Sequence, residues 1–78
     1  MLDIKILGPG CQKCHDLAEE VERFVADHHI DANVERVTQF FEIARWRVVQ
    51  TPGLVVNGRV VSTGRVPSEI ELTNWIHE

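Results

Sequence analysis

Tyrosine is absent from this sequence, and cysteine and the other aromatic residues are scarce. The 78 residues include two cysteines, two tryptophans and three phenylalanines. A bridge between Cys11 and Cys14 would close only a tiny loop, which excludes the structural disulfide framework typical of small secreted domains. One cysteine pair also falls short of the four ligands that a closed zinc site commonly uses.

An excess of basic residues and long apolar runs are absent as well. Eight Lys and Arg residues face 12 Asp and Glu residues, which gives a net charge of −4. Without a basic patch, no nucleic-acid partner is expected. The longest apolar runs, such as Leu54-Val55-Val56, are far shorter than the roughly 20 residues of a membrane helix. The first residues do not resemble a signal peptide, so a cytoplasmic protein without membrane contact is expected.

The composition that is present is that of one small globular domain. Hydrophobic residues make up 44% of the chain, an ordinary globular value that argues against disorder. The length leaves no room for a second core. Residues 1–78 are therefore expected to form a single domain, and a monomer is expected.

Hydrophobic periodicity predicts seven elements in the order β-α-β-α-β-β-α. The alternation over residues 2–7 is that of a strand, whereas apolar residues between Cys14 and His28 recur with a helical period. The predicted elements are a strand over 2–7, a helix from about Cys11 to His28 or His29, a strand over 33–37, a helix capped by Thr38 and extending to Arg47, strands over 54–56 and 59–62, and a helix from Ser68 to about His77. This order predicts an α/β fold, a mixed four-stranded sheet with helices on both faces.

Local signals support the last three elements. Asn57-Gly58 lies between two β-branched runs, the pattern of a hairpin turn. Ser68 and Glu71 have the spacing of a capping box at a helix start. The residues expected on the buried sides of the second and third helices are Phe40, Ile43, Ala44 and Arg47, and Ile70, Leu72, Trp75 and Ile76.

The stretch Gly10-Cys11-Gln12-Lys13-Cys14-His15 carries the candidate chemistry. Cys-x-x-Cys is a dithiol redox motif, half of a soft-metal site or, with the following histidine, the attachment pattern of a c-type haem. Cys11 follows a strand and a glycine-rich loop at a helix start, where free N–H groups favour a thiolate. Lys13 adds a positive charge nearby, and His15 adds another when protonated. We therefore expect Cys11 to attack a disulfide and Cys14 to resolve the mixed disulfide.

The other two chemistries fit the context less well. Haem c needs a second axial ligand, yet the only methionine is Met1, and a β-α-β start is not a haem-burying helical fold. A two-thiolate Cu(I) site stays open, since small metal carriers also use Cys-x-x-Cys. The alternatives to an oxidoreductase are therefore a soft-metal carrier and a redox-sensing module without turnover. For the oxidoreductase, no metal is expected, and no cofactor beyond the Cys11–Cys14 disulfide.

Three features together resemble the thioredoxin superfamily, and within it the small redox-active disulfide proteins of glutaredoxin size. They are the Gly8–Cys14 segment at the first strand-to-helix junction, Thr51-Pro52 just before the hairpin, and Gly64 after the last strand. The resemblance covers nearly the whole chain. It implies a protein-disulfide oxidoreductase that acts on disulfide-containing proteins and is re-reduced by a reductase or a small thiol. It also implies a cis Thr51-Pro52 peptide facing the cysteines, with Thr51 placed to pair with a substrate strand.

The sequence departs from the superfamily pattern in and before the motif. The residue six positions before the first cysteine is an aspartate in thioredoxin proper and is Lys5 here. No other residue is evidently placed to carry out the proton transfer of that aspartate. Gln12-Lys13 replace the Gly-Pro or Pro-Tyr pair between the cysteines, and no glutathione site is assigned. Four residues are predicted to modulate the dithiol: Gly10, Gln12, Lys13 and His15.

Overall fold

The computed structural model describes residues 1–77. Its elements follow the predicted order: β1 (Leu2–Leu7), α1 (Gln12–Asp27), β2 (Ala32–Val37), α2 (Phe40–Arg45), β3 (Gly53–Val56), β4 (Arg59–Thr63) and α3 (Glu69–Trp75). Among the described residues, no helix is long and apolar enough to cross a membrane.

The four strands form one mixed sheet in the spatial order β2-β1-β3-β4, which confirms the predicted sheet. β1 and β2 are parallel, and β3 is antiparallel to both β1 and β4. In the register, Leu7 lies opposite Val37 on one side and Gly53 on the other. The segments that follow β1 and β2 and precede β3 therefore meet at one edge of the sheet.

Helices cover both faces of the sheet, as predicted. Side chains alternate along β1, so Ile4 and Ile6 face one side and Leu7 faces the other. Buried residues of α1 and α3 join Ile4 and Ile6 in the larger core: Leu17, Ala18, Val21, Phe24, Leu72 and Ile76. A smaller core on the opposite face joins Leu7, Val37 and Val55 to Ile43 of α2.

The second helix is shorter than the sequence predicts. It starts after Gln39 rather than Thr38, and no side chain caps its first turn. Arg47, expected inside the helix, has φ of 59° and lies beyond its end. Because six residues make less than two turns, only Ile43 of the expected buried side reaches the sheet. Phe40 is 75% exposed, and Ala44 and Arg47 are also exposed.

The last two predicted signals are present in the structure. Asn57 and Gly58 form the hairpin turn with φ of 50° and 81°. The Ser68 hydroxyl accepts the Glu71 N–H at 3.3 Å, and the Glu71 carboxylate accepts the Ser68 N–H at 3.0 Å, which completes the capping box.

One residue of α3 faces away from the side that was predicted. Leu72 and Ile76 are buried as expected, and Trp75 is partly buried. Ile70 is 76% exposed, so its expected burial was wrong. Residues four apart share a helix face, whereas residues two apart do not, and this separates Ile70 from Leu72.

Candidate active site

Cys11 is the N-cap residue of α1. Its backbone is extended, with φ of −67° and ψ of 165°, and its Sγ accepts the backbone N–H of Cys14 at 3.2 Å. The first N–H groups of a helix have no partner within the helix, and the dipole of a 16-residue helix adds positive potential there. This position stabilises negative charge on the Cys11 sulfur when the bridge is open.

The two cysteines are joined in the structure. The S–S distance is 2.14 Å, and the Cα atoms are 5.0 Å apart. Their surroundings differ: Cys11 is exposed, whereas Cys14 is 5% exposed on the inner side of α1. Cys11 is therefore the more accessible of the two residues to a molecule approaching from solvent.

Gly8 makes room for the buried sulfur. A Cβ atom at this position would lie 2.3 Å from Cys14 Sγ and 2.8 Å from Cys14 Cβ. The Gly8 N–H also donates to the Val37 carbonyl at 2.9 Å, which ties the loop to the end of β2. The sequence prediction treated Gly8 as a loop residue and missed this contact; the Gly-Pro-Gly pattern was its only signal.

The four residues predicted to modulate the dithiol all lie in or beside the first turn of α1. Gly10 has φ of 108°, a backbone conformation that residues other than glycine rarely adopt. Gln12 donates to Asp16 at 2.9 Å, and His15 Nε2 lies 2.6 Å from Glu19. Lys13 is exposed.

A recess of about 250 Å³ opens beside the disulfide. Both cysteines line it, together with Gly10, Gln12 and His15, but Lys13, Thr51 and Pro52 do not. The sequence prediction missed two further lining residues, Arg36 and Thr38. The available signal was the parallel β-α-β unit, because the residues at the carboxyl end of β2 and just after it reach the same sheet edge as those that follow β1.

Thr51 and Pro52 precede β3 at this same edge. The peptide bond between them is cis, and Pro52 is buried while Thr51 is partly buried. The Pro52 carbonyl accepts the Gly64 N–H at 2.8 Å, which ties the segment to the end of β4.

Lys5 faces away from the dithiol. Its neighbours Ile4 and Ile6 point into the core under α1, so alternation places Lys5 on the opposite face of the sheet. There its ammonium lies 2.9 Å from Glu35 and 3.4 Å from Asp3. Hydrogen bonding to Glu35 is the main reason that the pKa of Lys5 is raised, and the residue stays a cation. Among residues 1–77, no Asp or Glu lines the recess.

A dithiol pair at the amino end of the first helix of a β-α-β-α-β-β-α fold defines the thioredoxin-like class of thiol-disulfide oxidoreductases. Comparison with known proteins agrees with this class. The family model described as "Thioredoxin domain" matches residues 2–77.

Two curated proteins similar to this chain are described as thioredoxins. The "Thioredoxin" of Methanocaldococcus jannaschii is 40% identical over 72 residues, which cover 92% of this chain and 83% of the relative. The "Thioredoxin" of Methanothermobacter thermautotrophicus is 33% identical over 72 residues, which cover 92% and 94%. The chain belongs to the thioredoxin family and is a protein thiol-disulfide oxidoreductase.

Proposed function

We propose that Cys11 is the nucleophile and Cys14 the resolving cysteine of this oxidoreductase. The observation that carries the assignment is the contrast between Cys11, an exposed residue at a helix start, and Cys14, a residue 5% exposed that packs beneath Gly8. An exposed thiolate reaches a substrate disulfide, and a buried one reacts only within the protein.

The catalytic cycle follows from this arrangement. In the reduced protein, the Cys11 thiolate attacks one sulfur of a substrate disulfide, forms a mixed disulfide and releases the other substrate sulfur as a thiolate. Cys14, deprotonated, then attacks Cys11 Sγ and expels the second substrate thiolate, which leaves the Cys11–Cys14 disulfide. Two electrons pass to the substrate in each turnover, and no cofactor besides the cysteine pair is needed.

Thr51, Pro52 and the modulating residues belong to the same proposal. Thr51 and Pro52 lie at the sheet edge that carries the dithiol loop, and we assign them to substrate binding. The electrostatic and steric surroundings of Cys11 are set by four neighbouring residues: Gly10, Gln12, Lys13 and His15. Disulfide-containing proteins are the substrates, and a reductase or a small thiol restores the dithiol. A cytoplasmic monomer that forms a single domain fits this cycle, because a reducing compartment keeps the dithiol supplied with electrons.

Turnover with a model substrate tests the proposal. The purified protein is expected to accelerate the reduction of insulin disulfides by dithiothreitol, and Cys11→Ser is expected to return the rate to that of dithiothreitol alone. An unaccelerated rate with the wild type would refute the oxidoreductase assignment.

Metal analysis of the reduced protein addresses the carrier alternative: stoichiometric copper lost in both Cys11→Ser and Cys14→Ser would favour it. Among residues 1–77, no group of three or more His, Cys, Asp or Glu is arranged to hold a metal ion.

A further inference from the structure

We propose that the recess beside the disulfide binds the acidic group of a small anionic thiol, which reduces the oxidised protein. Arg36 is the principal anchor for that group. This inference rests on the proposed function and names the chemical class of one of its electron donors.

The lining of the recess is made of hydrogen-bond donors. Gln12, His15, Arg36 and Thr38 provide its polar side chains, and each carries at least one N–H or O–H. Arg36 is the permanently charged residue among them. The side chains that line the recess thus carry a net positive charge, in a chain whose net charge is −4. A carboxylate or similar anion is the ligand that such a lining favours.

Three acidic residues of α1 pair with these donors. Gln12 donates to Asp16 at 2.9 Å, His15 Nε2 lies 2.6 Å from Glu19, and Arg36 donates to Glu22 at 3.1 Å. None of the three carboxylates lines the recess.

Arg36 keeps binding capacity after its pairing with Glu22. The contact uses Nη2, and a guanidinium has five N–H donors in one plane. The side chains are also well exposed, 43% for Arg36 and 47% for Glu22. An exposed pair of this kind is weak, so Arg36 can bind a second anion without a large loss.

The recess places the reacting atoms together. Cys11, the exposed cysteine, lines it, so a thiol held by its acidic group presents its sulfur to Cys11 Sγ. The bound thiolate attacks Cys11, forms a mixed disulfide and releases Cys14 as a thiolate. A second thiolate attacks the sulfur of the first, which frees Cys11 and yields the oxidised dimer of the small thiol. Two thiols supply the two electrons, and the two protein thiolates take up the protons.

The size of the recess favours a small molecule. Its volume of about 250 Å³ is below the roughly 300–1,000 Å³ of pockets that enclose drug-sized ligands. A second cavity of about 560 Å³ shares Arg36 and Thr38 with it and opens toward Trp46 on the side of α2.

The test compares thiols that differ in charge. The oxidised protein is reduced with 3-mercaptopropionate, neutral 2-mercaptoethanol or cationic cysteamine, and the reaction is quenched, alkylated and followed by intact mass. Second-order rate constants are expressed per thiolate, which removes differences in thiol acidity. At low ionic strength, the anionic thiol is expected to react about three- to fivefold faster than the neutral thiol, and added salt is expected to reduce this ratio.

Variants of Arg36 and Glu22 move the ratio in opposite directions. Arg36→Gln is expected to bring the ratio of anionic to neutral rates to about one, and Arg36→Lys to keep most of it. Glu22→Gln removes the competing carboxylate and is expected to increase the ratio. Arg59→Gln is the matched control, because Arg59 lies far from the dithiol. It follows the hairpin turn, where the Asn57 N–H donates to the Asp3 carbonyl near the start of β1. Its ratio is expected to equal that of the wild type.

The inference is wrong if the wild type shows no preference for the anionic thiol, or if the preference survives in Arg36→Gln. A ratio that falls equally in Arg59→Gln would also overturn it, since net charge alone would then explain the effect. Failure of the proposed function looks different: the protein would not accelerate insulin reduction with dithiothreitol, whatever the charge of the small thiol.

Discussion

The two cysteines of the Cys11–Cys14 bridge have different surroundings, although they are only three residues apart. Cys11 caps α1 and faces solvent, whereas Cys14 lies 5% exposed beneath the loop. The sequence predicted an exposed Cys11 and a buried Cys14, because the strand-loop-helix order locates the motif and the helical stripe includes Cys14. It could not predict Arg36 in the recess, since that position depends on how β2 aligns with β1.

Gly8 gives a direct test of packing around the buried sulfur. Gly8→Ala places a methyl carbon 2.3 Å from Cys14 Sγ, so backbone or sulfur must move. We expect a loss of about 1–3 kcal/mol in the free energy of unfolding, the usual cost of overpacking. Chemical denaturation of the oxidised protein measures it.

A second background isolates the cause of that loss. In Cys14→Ala, the sulfur atom is gone, and Gly8→Ala is expected to cost less than in reduced wild type, where both cysteines are thiols. Equal costs in the two backgrounds would show that the loss arises from the loop backbone or from contact with the Cβ of residue 14, rather than from contact with the sulfur.

At the scale of elements, the helix ends and turns that carry a local side-chain signal were predicted better than the helix ends that carry none. Ser68 and Glu71 form the predicted capping box, and Asn57-Gly58 the predicted turn. The start of α2 was misplaced at Thr38, because the actual cap residue, Gln39, makes no side-chain cap bond that a sequence pattern could reveal. Periodicity also overstated burial in α2, because that helix has too few turns to present a continuous stripe.

The start of α3 predicts a pH dependence of stability. Glu71 accepts two hydrogen bonds from Arg65, at 2.7 and 2.5 Å, and one from the Ser68 N–H. These bonds, chiefly those from Arg65, lower the pKa of Glu71 from 4.5 to about 2. A lowered folded-state pKa means that the contribution to stability is present above the unfolded pKa and is lost as pH falls from 4.5 toward 2.

Glu71→Gln tests this contribution. The variant is expected to have a lower Tm than wild type at neutral pH and a smaller decrease in Tm as pH falls through that range. Thermal unfolding followed by circular dichroism gives both values, with Glu42→Gln as the control for loss of an exposed carboxylate on another helix. An unchanged slope of Tm against pH in Glu71→Gln would contradict the assignment.

At the scale of the whole molecule, the sheet positions the site by bringing three segments to one edge. The loop after β1, the end of β2 and the segment before β3 meet there because Leu7 pairs with both Val37 and Gly53. The order of elements and the mixed sheet could be predicted from periodicity and turn chemistry. The residues that line the recess could not, because they come from segments far apart in the chain and depend on three-dimensional packing.

The larger core is expected to carry the stability of the molecule. Leu72 is fully buried against the residues of β1 and α1, whereas Ile70, two residues earlier, is 76% exposed. Leu72→Ala is expected to cost about 2–5 kcal/mol, a large share of the stability of a chain of this size. Ile70→Ala is the control and is expected to change the free energy of unfolding by less than about 0.5 kcal/mol. Similar losses in the two variants, measured by urea denaturation, would contradict the described arrangement of α3.

The most direct measurement of the central claim is the trapping of the mixed disulfide. A single-cysteine variant, Cys14→Ser or Cys11→Ser, is mixed with an excess of a disulfide-bonded peptide and analysed by intact mass. Cys14→Ser is expected to retain one covalently bound equivalent of substrate, released by dithiothreitol, because its exposed nucleophile remains and no resolving thiol frees the product. Cys11→Ser is expected to remain unmodified on the same timescale. Faster or greater trapping by Cys11→Ser than by Cys14→Ser would contradict the account, since it would make the buried cysteine the one that attacks.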